Sequence, residues 1–193
     1  WLQVDFIADL SGALGIGRYQ INNGGTGSAT GPSLNVADVA ASVTVNTGVL
    51  RFVVNKNSFK LFDSIQIDRD NDGQVDDECL VTAAARGIVV HEGGTDYLTS
   101  TIAPTRVEVE ETGPIRVTIL AEGVNRSAGG VNKLNYTVRI TAYNGLPFVT
   151  VQYAFKNMTG HGVPAATVGD AAAQLRQVET ADSVTVELPL AFG

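Results

Sequence analysis

Apolar and polar residues alternate over most of this chain. In "PIRVTIL", residues 114–120, Ile115, Val117 and Ile119 fall on one side and polar residues fill the positions between them. The same alternation recurs in "LNYTVRITAY", "LPFVTVQYAF", "RVEVEE", "VLRFVV" and "SVTVELPLAF". A period of two belongs to the β-strand, whose successive side chains point to opposite faces. The sequence therefore predicts an all-β fold, an antiparallel β-sandwich or partly open barrel with little or no helix.

Glycine-bearing connections separate these strands. Asn144-Gly145 in "YNGLP" is a tight-hairpin signal, and "NTGV", "ETGP" and "NRSAGG" are further predicted connections. Strands are also predicted at 1–8, 16–22, 41–46, 60–67, 78–83 and 86–91, and the polar stretch 22–33 is predicted to be a flexible loop. Only 165–176 could hold a helical turn. We expect residues 1–193 to form a single β-domain.

Composition excludes several classes of function. The chain has a net charge of −7 and only 13 Lys and Arg without a basic run, so we do not expect nucleic acid as a partner. No apolar run approaches the about 18 residues that a membrane-spanning helix needs, so membrane insertion is not expected. A single cysteine, Cys79, rules out a disulfide within the chain.

The densest chemistry lies in "IDRDNDGQVDDE", residues 67–78. Its acidic residues follow the spacing of a calcium loop, with Gly73 at the sixth position, where the chain must turn sharply. The predicted ligands are Asp68, Asp70, Asp72, the backbone carbonyl of Gln74, and Asp76. Cys79 stands where an EF-hand has a bidentate Glu, so Asp77 or Glu78 would complete the shell.

Calcium is the cofactor that we expect in this turn, because crowded carboxylates repel each other unless a cation compensates. The ion would pin a hairpin-like connection between two strands. The alternatives are a solvated acidic turn without metal and a catalytic carboxylate pair, which would need carboxylates in different environments. Calcium also favours an extracellular or cell-surface location, where that ion is plentiful.

No catalytic residue is predicted. His91 and His161 have no partner at metal-ligand spacing, so both are interpreted as surface or loop histidines. Cys79 lies in an apolar strand and is expected to be a buried small hydrophobe. Motifs of serine hydrolases, zinc proteases and P-loops do not occur. Three sequons make Asn125, Asn135 and Asn157 candidate glycosylation sites, with Asn125 in a predicted loop and Asn157 at a strand end.

Several blocks together resemble a known family: "WLQVDFIADL", "VNTGVLRFVV", "FKLFDSIQID", "ETGPIRVTILAEG" and "LNYTVRITAYNGLPFVTVQYAFKN". They are similar to the N-terminal, RIFT-related β-barrel domain of the exo-rhamnogalacturonan lyase family, over most of residues 1–160. The resemblance implies that the lyase chemistry belongs to a helical toroid and later β-domains, so no catalytic residue carries over to this chain. It also implies that some strands of the β-domain are missing here.

A missing strand gives the C-terminal segment two interpretations. In "DSVTVELPLAFG", residues 182–193, five apolar side chains share one face and are expected to be buried: Val184, Val186, Leu188, Leu190 and Phe192. Because Pro189 cannot donate to a ladder, the segment is expected to be an edge strand of its own domain. Alternatively, it is a strand donated to a neighbouring copy, which would propagate a filament.

Three functions remain from the sequence. The favoured one is a non-catalytic, calcium-stabilised extracellular subunit that assembles with copies of itself into an oligomer or polymer, such as a fibre. The second is an accessory β-domain of a pectin (rhamnogalacturonan) lyase, as the resemblance implies. The third is a carbohydrate-binding module, whose partner would be a glycan. Enzymatic activity of this chain alone is not expected.

Overall fold

The structure is a computed structural model that describes residues 34–157 and 180–191. Within these ranges it contains twelve strands and one short 3₁₀ helix, Thr82–Ala84. The strands are β1 (Asn35–Asp38), β2 (Ser42–Asn46), β3 (Leu50–Asn55), β4 (Ser64–Ile67), β5 (Asp77–Glu78), β6 (Gly87–Glu92), β7 (Thr95–Leu98), β8 (Arg106–Thr112), β9 (Arg116–Ser127), β10 (Asn132–Tyr143), β11 (Val149–Asn157) and β12 (Ser183–Glu187).

The strands form two antiparallel sheets. One has the order β1-β2-β3-β4-β5, and the other has the order β11-β10-β9-β7-β6-β12, with β8 paired to β9 beside β7. All pairings are between antiparallel neighbours. The prediction of an all-β antiparallel fold is confirmed. The structure holds no helix in its described ranges with the length and apolar character to cross a membrane.

The core lies between the two sheets. Val45, Phe52 and Val54 from the five-stranded sheet and Ile119 and Val138 from the seven-stranded sheet are almost wholly excluded from solvent. These residues lie on the apolar faces that the period of two predicts, so alternation placed the interior of the central strands correctly. Burial of this apolar area is the main favourable contribution to folding.

Aromatic rings contact one another within the core. Phe59 stacks on Tyr136 with ring centroids 5.6 Å apart, and Phe52 meets Phe62 edge-on at 5.4 Å. Burial raises the pKa of the Tyr136 hydroxyl, which finds no hydrogen-bond partner among the described residues. The ring of Tyr136 fits because it lies over Gly123 of the neighbouring strand, where no Cβ intervenes.

The predicted connections are mostly confirmed. Asn144-Gly145 joins β10 to β11, and its amides donate to the carbonyls of Ile115 and Thr47, at 2.8 Å each. Two short strands, β1 and β7, carry too few alternating residues to have been predicted. The strand expected at 78–83 is wrong beyond Glu78, because only Leu80 forms an isolated bridge there and the 3₁₀ helix begins at Thr82. The predictions for 1–8, 16–22, 22–33 and 165–176 lie outside the described residues.

The C-terminal strand pairs with β6 of its own chain, over Ser183–Glu187. The expectation that its apolar face is buried is wrong for Val184, Val186 and Leu190, which are 41%, 58% and 45% exposed. Only Leu188 packs against the core, and Phe192 lies outside the described residues. The strand is at the edge of the sheet, where little of the opposite sheet covers it.

Candidate metal centre

The acidic stretch forms the connection between β4 and β5. The two strands pair at Gln66 with Glu78 and at Ile67 with Asp77, so the loop between them closes an antiparallel hairpin. Asn71 and Gly73 take positive φ angles of 60° and 88°, and no side-chain atom would obstruct a Cβ at Gly73. Glycine suits this position because L-residues with side chains rarely adopt that backbone conformation.

The loop is held by hydrogen bonds from its own amides to its carboxylates. Asp68 accepts from the amides of Asp72 and Gly73 at 3.1 Å each, through its two carboxylate oxygens. Asp72 accepts from the Gln74 amide at 2.8 Å, and Asp77 accepts from the Arg69 amide at 2.7 Å. Each bond satisfies a backbone donor and orients a carboxylate towards the backbone of the loop. The backbone amides therefore hold the acidic groups close together.

Three of these carboxylates come together. Asp68, Asp70 and Asp77 each offer an oxygen within 4.8 Å of the others. Asp68 and Asp70 belong to the predicted ligand set, and Asp77 was one of two residues expected to complete it. Asp72 and Asp76 are not in this group, and the Asp72 carboxylate instead caps the Gln74 amide. Three hard oxygens are a partial calcium shell, which backbone carbonyls and water would have to complete.

Glu78, the other candidate for completing the shell, has a different role. Its carboxylate accepts from the Ser64 hydroxyl at 2.6 Å and from the amides of Ile65 and Leu80 at 2.9 Å each. Burial acts to raise the pKa of Glu78. The hydrogen bonds together lower it by more, so the pKa of Glu78 lies below its ordinary value. Glu78 therefore fastens the base of the hairpin rather than facing the acidic group.

The loop also contacts the C-terminal segment. The Arg69 guanidinium donates to the Ala191 carbonyl at 3.0 Å and lies 3.5 Å from the Cys79 sulfur. The Ala191 amide donates to the Cys79 carbonyl at 2.8 Å, and the Val81 amide donates to the Pro189 carbonyl at 2.9 Å. Cys79 is 7% exposed, which confirms that it is a buried apolar residue.

A second polar cluster was not predicted from the sequence. His91 Nδ1 lies 2.6 Å from Asp96 Oδ1, and the other oxygen of Asp96 pairs with Arg86. Arg86 also contacts Glu187 of β12 at 3.0 Å. The hydrogen bond from Arg86, followed by that from His91, lowers the pKa of Asp96 below its ordinary value. The only signal in the sequence was His91 itself, since its partners lie on other strands.

An open cleft of about 610 Å³ borders this cluster. Arg86, Asp96 and Tyr97 line it together with Ser127 and Gly129. The Lys133 ammonium lies 5.6 Å from the centroid of the Tyr97 ring and pairs with Glu92. The cleft thus combines an aromatic ring with charged and planar polar groups.

The structure places the sequons in different environments. Asn125, expected in a loop, lies within β9 and is fully buried, so the loop prediction is wrong. Its amide nitrogen donates to the Tyr97 carbonyl at 3.4 Å, and its oxygen accepts from the Tyr153 hydroxyl at 3.4 Å. The folded chain has no room for a glycan there. Asn135 is half-buried in β10, and Asn157 ends β11 as predicted. His161 lies outside the described residues.

A family described as "PcRGLX-like protein central beta sandwich domain" matches residues 34–159. The match runs from the residue before β1 to just beyond β11, so it covers both sheets except β12. It agrees with the resemblance to a rhamnogalacturonan lyase β-domain, and its description calls that domain central rather than N-terminal. No curated protein matches the sequence.

Proposed function

Because the chain belongs to the PcRGLX-like family, as its central β-sandwich domain, we propose that it is the accessory, non-catalytic β-domain of a pectin (rhamnogalacturonan) lyase that acts outside the cell. The family match across both sheets is the observation that carries this proposal. Fold alone does not fix function, so the role must come from surfaces that the sandwich presents. In the part of the chain that the structure describes, the loop and the cleft are surfaces with specific chemistry.

The cleft is the surface through which this domain would contact the polysaccharide. Tyr97 offers a ring to a sugar face, while Asp96 and the exposed turn at Ala128 and Gly129 offer acceptors and donors to hydroxyls. Arg86 is already neutralised by Asp96 and Glu187. The cleft therefore fits neutral sugar residues, such as rhamnose, better than it fits the carboxylates of galacturonate.

Calcium has a structural role in this proposal. An ion held by Asp68, Asp70 and Asp77 would offset the repulsion between the three carboxylates and stiffen the β4–β5 hairpin. Because Arg69 of this loop donates to the Ala191 carbonyl, a more rigid loop would also restrict the motion of the C-terminal segment. Calcium bound at this loop would support the extracellular location, as would glycans on Asn135 or Asn157.

Two measurements on the purified chain test the accessory role. We expect no release of unsaturated products from rhamnogalacturonan, and we expect retarded migration of the chain in a native gel that contains this polysaccharide. Tyr97→Ala should restore normal migration, whereas Tyr143→Ala, a ring on β10 outside the cleft, should not. Unsaturated products from the chain alone would contradict a non-catalytic role, and equal migration with and without polysaccharide would contradict contact with the substrate.

A self-assembling structural subunit is the second candidate. The exposed Val184 and Val186 on β12 favour it, because a donated strand would bury them in a neighbour. Against it, β12 pairs with β6 of its own chain, as the edge-strand interpretation requires. Deletion of residues 182–193 distinguishes the two. If the strand is donated, we expect the full chain to form filaments in electron micrographs and the truncated chain to form none. An added peptide of that sequence should then stabilise the truncated chain.

A further inference from the structure

The edge strands of the described sheets differ in how well they are protected from pairing with another strand. β1 has four residues, and its Asp38 pairs with Lys56. β8 carries Glu108, Glu110 and Glu111, and β12 has five residues with Glu187 held by Arg86. Short length and charge are the usual means by which proteins block edge-to-edge association. β11 has neither, since it has nine residues and a single charge, Lys156.

The inner face of β11 is also incompletely covered. Its neighbours on β10, Tyr136 and Ile140, are buried, yet Phe155 and Val151 opposite them are 60% and 39% exposed. The Tyr153 ring lies between, half-buried, with its centroid 5.9 Å from that of Phe155. The cover provided by the five-stranded sheet therefore ends at β11. Beyond it lie an apolar face and, in the described residues, a strand edge with no partner.

We propose that β11 pairs antiparallel with β11 of a second copy of this chain, around a two-fold axis at Tyr153. In this register, Val151 of each copy lies opposite Phe155 of the other, and the two Tyr153 residues face each other. The exposed apolar side chains thus meet apolar partners on the same face, as directly opposite residues in antiparallel strands do. Main-chain hydrogen bonds would join the two seven-stranded sheets.

The charge pattern favours a copy of the same strand as the partner. On the outer face, Lys156 of each copy lies opposite Thr150 of the other, so no like charges meet. Gln152 lies opposite Ala154, so the outer faces of the two strands meet without a clash of charge. Such an isologous contact closes on itself and gives a dimer instead of a filament. The proposal does not depend on the accessory role in a lyase.

The test uses two substitutions at one exposed position. Thr150→Lys places two lysines opposite each other twice in the dimer, whereas Thr150→Glu places a carboxylate opposite each Lys156. Like charges directly opposite destabilise a strand pair, so we expect Thr150→Lys to raise the dimer dissociation constant by about 2- to 30-fold. Thr150→Glu should lower it. Both are read from light scattering and sedimentation over a series of protein concentrations.

The two variants control for folding, because Thr150 is exposed and both replacements are charged. A wild-type chain that stays monomeric at all concentrations, or a dimer that both variants change alike, would overturn the proposal. Hydrogen exchange of the β11 amides gives a further check. We expect protection to increase with protein concentration. Protection that is full and independent of concentration would show that residues 1–33 or 158–179 of the same chain cover this edge, and would also overturn the proposal.

Discussion

Gly123 of β9 lies directly opposite Tyr136 of β10, and the tyrosine ring occupies the space where a side chain would be. A Cβ at Gly123 would come within 2.5 Å of the Tyr136 hydroxyl and within 2.7 Å of its ring. Since Tyr136 also stacks on Phe59, the ring cannot move aside without disturbing the core. We expect Gly123→Ala to destabilise the fold by about 1–3 kcal/mol, as overpacking of a core does.

Gly113→Ala is the matched control for this substitution. Its Cβ would meet only the Arg116 carbonyl oxygen, at 3.7 Å, which is an ordinary contact. Urea unfolding of the two variants beside the wild type gives the comparison. Equal unfolding free energies for both variants would show that the packing of the Tyr136 ring does not require glycine at position 123.

Alkaline pH should destabilise the chain through the buried Tyr136 and the half-buried Tyr153. Burial raises the pKa of Tyr153 to about 12, and it raises that of Tyr136 as well. In the unfolded chain both titrate near pH 10, so the folded state retains protons that the unfolded state loses. The stability that these two tyrosines contribute should be constant below pH 10 and should fall as the pH rises towards 12. Unfolding of the Tyr136→Phe, Tyr153→Phe double variant over this range should show a smaller fall, and an unchanged slope would contradict the assignment.

Lys133 should depend on Glu92 for its burial. The Lys133 side chain is 7% exposed and pairs with Glu92, which lies on β6. Removing the carboxylate charge leaves a buried ammonium with less compensation, which is costly. We expect Glu92→Gln to lower the melting temperature more than Glu108→Gln, whose partner Arg106 has a side chain that is 51% exposed. Melting curves followed by circular dichroism test this, and equal shifts would show that the two ion pairs contribute alike.

The period of two predicted which side of a strand faces inward, but not whether anything covers that side. Val138 and Val151 have the same local pattern, yet Val138 is buried and Val151 is 39% exposed. The difference lies in strand order, because β10 is central and β11 is at the edge of the sheet. Strand order is set by contacts between distant segments, which a single sequence does not display.

The same limit explains the outcome for Asn125. "NRSAGG" carries the residues of a connection, and the turn does follow at Ala128–Gly130. The strand nevertheless continues to Ser127, because its backbone pairs with β7 and β10. Asn125 is then buried, where carbonyls from β6 and β7 accept its amide. A polar residue in the interior is predictable only when its partners are known.

In the acidic loop, the spacing of residues along the sequence and the geometry of the fold select different calcium ligands. Loop spacing selects Asp76 as a calcium ligand, whereas the carboxylates that come together are those of Asp68, Asp70 and Asp77. The reason lies in the hairpin: Asp77 pairs with Ile67 and turns back to the Arg69 amide, which brings its carboxylate to the other two. We therefore expect Asp77→Asn to weaken calcium binding in titration calorimetry, and Asp76→Asn to leave it nearly unchanged.

The two variants differ by one position and by the same change of charge, so each controls for the other. Asparagine retains an oxygen that can accept the Arg69 amide, which limits the damage to the hairpin in Asp77→Asn. We expect the melting temperature of Asp77→Asn to fall below that of the wild type in calcium and to match it in chelator, because a ligand that binds only the folded state stabilises it. An equal loss under both conditions, or a larger effect of Asp76→Asn on calcium affinity, would show that the ion does not bind at these three carboxylates.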